Sequence, residues 1–150
     1  MSLKEKISND LIAAMKSGDV IRRDVLRMVD SMIKNAEIEK KKRESGLEDS
    51  EIIEILFRAV KQRRDSIEQY EKGGRQDLAD KEKKEIEIIS AYLPEQLGED
   101  KIRAIVKEII AQTGAASKAD IGKVMGQTMS RLKGQADGKI VKKVVEEELI

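Results

Sequence analysis

A chain of 150 residues is long enough for one compact domain or two small ones. Charged residues make up 39% and aromatics 2%, with no Cys, His or Trp and a single Pro. These absences exclude disulfides, thiol nucleophiles, an imidazole base, His-ligated zinc and a base-stacking aromatic platform. The net charge is +1, so the chain as a whole is neither a polybasic arm nor an acidic tail. Met1 to Lys6 lacks the apolar core of a signal peptide, and no apolar run is long enough to span a bilayer. No membrane partner is therefore expected. With no Cys to report a redox compartment, a cytoplasmic location is the default expectation.

Hydrophobic periodicity predicts seven helices in succession. Ser2 with Glu5 makes a capping box, followed by an apolar stripe of Leu3, Ile7, Leu11, Ala14 and Met15 that Ser17-Gly18 breaks. Asp19 caps a long second helix through Ile21, Val25, Met28, Val29, Met32, Ile33 and Ala36. Its last turns, Lys40-Lys41-Lys42-Arg43, set positive charge at the negative end of the helix dipole, and Ser45-Gly46 ends it. A third helix starts near Asp49, with Ile52, Ile53, Leu56, Ala59, Val60, Ile67 and Tyr70 inward, and stops at Gly73-Gly74. The fourth starts near Asp77, carries a densely charged middle and ends at Pro94.

Residues 94–98 are the linker candidate. Beyond them the helices shorten and glycines become more frequent. Ile102, Ile105, Val106, Ile109 and Ile110 mark a fifth helix ending at Gly114. Ser117 and Asp120 read as a capping pair for a sixth, with Ile121, Val124, Met125, Met129 and Leu132 inward and Gly134 as the stop. Asp137 caps a seventh through Ile140, Val141, Val144, Val145 and Leu149. No strand and no repeat is read. The expected fold is all-α: an N-terminal helical domain over residues 1–95, of about four helices with two long ones, and a small three-helix domain over residues 96–150.

Charge divides unevenly between these parts. Residues 1–96 carry 20 Lys and Arg against 21 Asp and Glu, and residues 97–150 carry 10 against 8. Within residues 117–143, Lys118, Lys123, Arg131, Lys133, Lys139, Lys142 and Lys143 face only Asp120 and Asp137, a local net of +5. Cations set against phosphates release counterions, so this segment is the natural RNA-backbone contact. The alternative is a solvated face whose charges suit helix ends.

Catalytic, cofactor-binding and metal-binding residues are not found. Gly134 to Lys139 is one residue short of a P-loop, has Ile140 where Ser or Thr would hold Mg²⁺, and follows no strand. Gly73-Gly74 reads as a helix stop rather than a phosphate cradle. Glu82, Glu85 and Glu87 are explained by pairing with lysines on their own helix. Gly122 and Gly126 share a helix face that lets another backbone come close, either RNA or the seventh helix.

Several stretches together form a recognisable set: Gly73-Gly74-Arg75-Gln76-Asp77-Leu78, Tyr92-Leu93-Pro94-Glu95-Gln96-Leu97, Ala119-Asp120-Ile121-Gly122-Lys123-Val124-Met125-Gly126 and Lys133-Gly134-Gln135-Ala136-Asp137-Gly138. In order and spacing they resemble the YqeY family of small bacterial proteins, over essentially the whole chain. That family is similar to the C-terminal helical and tail regions of GatB, a subunit of the glutamine-dependent amidotransferase that corrects Glu-tRNA and Asp-tRNA. The resemblance implies a helical domain followed by a tail-like domain that helps hold tRNA. It implies a tRNA-related binding or accessory role, with the seven cations touching phosphates and no DNA expected. Gln135 stands where the family pattern has Arg, which removes one charge. The alternative it implies is a component of the amidotransferase, a carbon–nitrogen ligase with glutamine as amide donor, working with partner subunits or other tRNA-synthesis proteins. A helical protein-interaction module is the third alternative.

Overall fold

The computed structural model describes residues 1–149. Every regular element among them is helical. The helices are α1 (Leu3–Ser17), α2 (Val20–Glu39), α3 (Asp49–Lys72), α4 (Gln76–Ser90), α5 (Glu99–Thr113), a short 3₁₀ turn (Lys118–Asp120), α6 (Ile121–Arg131) and α7 (Gly138–Glu148). The chain forms two compact units, Met1–Leu93 and Pro94–Ile150.

In the first unit, α1 to α4 close over Ile7, Leu26, Val29, Ile52, Leu56 and Ile89, which are almost fully buried. Each such side chain contributes roughly 1.5–3 kcal/mol of transfer free energy. Local caps set the entry to α1 and α2. The Glu5 N–H donates to Ser2 Oγ and the Ser2 N–H to Glu5 Oε2, while Asp19 Oδ1 accepts from the Arg22 N–H. Asp49 Oδ1 accepts from the Leu3 N–H at 3.0 Å, so the start of α3 also caps α1.

The end of α2 differs from the sequence expectation. The helix stops at Glu39, and Lys40 to Arg43 form a loop rather than its last turn. Lys41 adopts φ +56°, the Lys41 N–H donates to Ile38 O and the Lys42 N–H to Glu37 O. That is a Schellman stop with lysine in the left-handed position that glycine usually takes. Lys40 and Lys42 turn back onto Glu51 at 2.9 and 2.8 Å, and these two ammonium groups hold its carboxyl at about 2, below its ordinary 4.5. The folded pKa lies below the unfolded one, so this clasp adds its full stability above about pH 4.5 and loses it as the pH falls towards 2.

Two further readings need correction. Glu82 and Glu85 do not pair with lysines of their own helix. They meet Arg63 of α3, at 3.7 and 3.0 Å from its Nε, and the same guanidinium donates to Ala59 O. An arginine with its side chain only 13% exposed gains more from carboxylates across the helix pair than an exposed lysine offers along it. The fourth helix also ends at Ser90, four residues before Pro94, in a turn through Ala91 to Leu93. Tyr92 closes this unit. It is 7% exposed, its hydroxyl donates to Asp10 of α1, and Lys6 lies over its ring. Burial and the Asp10 carboxylate push its phenol up to about 12.

The second unit packs α5, α6 and α7 around Ile102, Val106, Val124, Leu132, Val141, Val144 and Val145. Part of the linker candidate belongs to it. Gln96 Nε2 donates to Gly134 O at 2.6 Å, the Leu97 N–H donates to Gln135 O at 2.9 Å, and Leu97 packs on the core. Ser117 makes no side-chain cap, because the 3₁₀ turn intervenes. Asp120 instead accepts from the Ala116 N–H, and Asp137 caps α7 through the Lys139 N–H at 2.8 Å.

Candidate nucleic-acid interface

The seven basic residues of 117–143 are all exposed, but they are not equivalent. Lys118 opens the 3₁₀ turn, Lys123 lies in the first turn of α6, and Arg131 ends that helix. Lys133 follows in the α6–α7 loop, and Lys139, Lys142 and Lys143 lie on α7. The valines at 141, 144 and 145 fill the core, so the lysines at 139, 142 and 143, three and four apart, share the outer flank.

Ion pairs separate the set. Arg131 Nη2 lies 3.1 Å from Glu108 Oε2, and Lys143 Nζ lies 3.4 Å from Glu99 Oε1, both carboxylates being on α5. Lys133 and Lys139 are engaged within the chain as well. Among the described residues, Lys118, Lys123 and Lys142 have no side-chain partner and project free ammonium groups. Sequence spacing shows all seven as alike. The carboxylates that distinguish them come from α5, 23 residues away in the case of Glu108 and Arg131.

Between α5 and α7 the pairing tightens into a cluster. Arg103 places Nη1 2.7 Å from Glu148, while Nη2 meets Glu147 at 2.5 Å and Glu99 at 3.3 Å. Glu148 and then Glu147 raise the guanidinium's proton affinity, and Arg103 in turn lowers the Glu147 carboxyl below its usual range. Only the Glu99–Arg103 spacing of four was readable from sequence.

The glycines of α6 resolve an alternative. Val124 and Thr128 point inward, whereas Gly122, Lys123, Gly126, Gln127 and Ser130 are exposed. A Cβ added at Gly122 or Gly126 meets no atom within 4 Å. The two glycines therefore do not serve packing against the seventh helix. Each costs the isolated helix roughly 0.5–1 kcal/mol relative to alanine, and no contact among the described residues offsets that. The outcome is a low, open strip beside the free Lys123.

Three open clefts in the first unit meet at Arg43 of the α2–α3 loop, the widest of about 620 Å³ between that loop and the start of α1. Their lining mixes both charges, with Lys4, Lys34 and Arg43 near Glu5, Glu37 and Glu44. Among the described residues no group of three or more acidic side chains is placed to hold a metal ion, and no helix is long and apolar enough to cross a membrane.

Comparison with known proteins supplies the family. A family model described as Yqey-like protein matches residues 4–149. Among the curated relatives is a Candida glabrata protein named Altered inheritance of mitochondria protein 41, mitochondrial. It is 37% identical over 89 residues, 59% of this chain and 48% of the relative. Proteins of the same name from Vanderwaltozyma polyspora and Pyrenophora tritici-repentis are each 29% identical. These alignments take in 83% and 95% of this chain and 70% and 78% of theirs. The chain thus spans about half the length of the first relative and more of the others. The matches correct two expectations, a bacterial family and a cytoplasmic location, because these relatives are fungal and their name says mitochondrial. The cytoplasm was a default that rested on the lack of a secretory signal core, of a membrane span and of cysteine, and none of these carries an address. A match to the family model over nearly its full length establishes that the chain belongs to the YqeY family.

Proposed function

We propose that the protein binds RNA of the tRNA type through its phosphate backbone, using its second unit, and performs no catalysis on its own. The observation that carries this reading is the set of free ammonium groups at Lys118, Lys123 and Lys142, with the open Gly122–Gly126 strip beside one of them. Three unpartnered cations already in water gain counterion release on meeting phosphates and give up no intramolecular pair. The glycine strip lets a sugar–phosphate chain come nearer to the α6 backbone than side chains would allow. Contacts of this kind hold and orient an RNA without reading its bases. Titration of unfractionated tRNA against the protein over a salt series tests the reading. Affinity is expected to fall with rising salt, linearly on a log–log plot, with a slope at least as steep as about −2, the value for three phosphate contacts. Absence of binding even at low salt contradicts it.

A further inference from the structure

We infer that Glu99 and Glu108 stand in for phosphates, holding Lys143 and Arg131 in a masked state from which RNA releases them. The inference rests on the RNA-binding reading above and extends the surface from three cations to five. Both pairs are half exposed, with side-chain accessibilities of 62% and 44% for Lys143 and Glu99 and of 45% and 49% for Arg131 and Glu108. Pairs in such surroundings are held weakly and exchange readily.

The partners of the two carboxylates support the exchange. Glu99 Oε1 is shared between Lys143 at 3.4 Å and Arg103 at 3.3 Å, so it keeps a guanidinium when Lys143 leaves. Glu108 accepts from Gln112 Nε2 through its other oxygen, Oε1, so it keeps a donor when Arg131 leaves. Neither carboxylate is left without a partner by the handover. Arg103 does not share this freedom, since Glu147 and Glu148 grip it as well and only 27% of its side chain is exposed. It is the fixed post of the cluster, while Lys143 and Arg131 are the movable members. Lys143 also shares the α7 flank with the free Lys142, so a phosphate chain reaching Lys142 is brought to the masked lysine next to it.

The double variant Glu99→Gln with Glu108→Gln tests the inference by titration with unfractionated tRNA at moderate salt. Glutamine keeps the size of the side chain and its hydrogen bonding but releases both cations. Binding is expected to tighten about 3- to 10-fold, in keeping with two weak surface pairs. The gain is expected to vanish when Arg131→Gln and Lys143→Gln are added. The control is Asp100→Asn with Glu146→Gln, two exposed acids of the same unit without ion-pair partners among the described residues. It changes the net charge equally and is expected to give a clearly smaller gain. If the wild type binds tRNA and the Glu99/Glu108 variant binds no more tightly, or the control gains as much, the masking is overturned and the binding reading stands. If neither the wild type nor the variant binds at low salt, the binding reading itself has failed and the masking falls with it.

Discussion

Replacing Lys123 and Lys142 together by glutamate is expected to weaken tRNA binding by about tenfold or more at moderate salt and to flatten the log–log salt slope by about 2. Both side chains are exposed and free of partners among the described residues, so their reversal removes phosphate contacts without breaking a packed structure. Far-ultraviolet circular dichroism is therefore expected to show unchanged helicity. The same reversal at Arg131 and Lys143 has a smaller expected effect, because those two cations are spent on Glu108 and Glu99 in the free protein. An unchanged affinity and slope for the Lys123/Lys142 variant would leave the basic segment as an ordinary solvated face. A larger loss from the Arg131/Lys143 variant would invert the ranking drawn from the ion pairs.

The second large effect concerns the first unit. Glu37 is 4% exposed, and its two carboxylate oxygens lie 2.8 and 3.0 Å from the Lys4 ammonium. Replacing Lys4 by methionine leaves that carboxylate buried without its counter-charge. Removing one partner of a buried pair costs about 3–5 kcal/mol, and the partial exposure of Lys4 places this case near 3 kcal/mol or slightly below. Urea unfolding checks the value through the shift in midpoint at constant slope. Replacing both residues by methionine is expected to recover most of the loss, because two apolar side chains need no pairing. A Lys4→Met protein within about 0.5 kcal/mol of the wild type, the range of neutral surface changes, would contradict this account of the pair.

What the sequence made legible was local. Ser2 with Glu5, Asp19 and Asp137 cap helices through bonds that span two or three residues, and such bonds depend on nothing farther along the chain. The apolar periodicity carried the all-α class for the same reason. The end of α2 was not legible. A lysine holds the left-handed position at residue 41, and the first glycine after it, the usual sign of a helix stop, stands at residue 46. Pairings across helices were hidden too. Arg63 with Glu85, Lys4 with Glu37, and Arg131 with Glu108 join residues 22, 33 and 23 positions apart. No spacing rule reaches that far. The candidate interface was therefore visible as a charged segment, but its division into free and masked cations was not. The role of Gly122 and Gly126 stayed open in sequence because small residues serve equally for packing and for outside approach. Only the empty space around them separates the two.

An RNA held by the second unit through residues 117–143 leaves its mark on the peptides it touches. Crosslinking tRNA to the intact protein, followed by mass spectrometry of the attached peptides, tests that placement most directly. Crosslinks are expected to concentrate in peptides containing Lys118, Lys123 and Lys142. Crosslinks confined to Met1–Leu93, for instance at Lys41 and Arg43 of the α2–α3 loop, would contradict it.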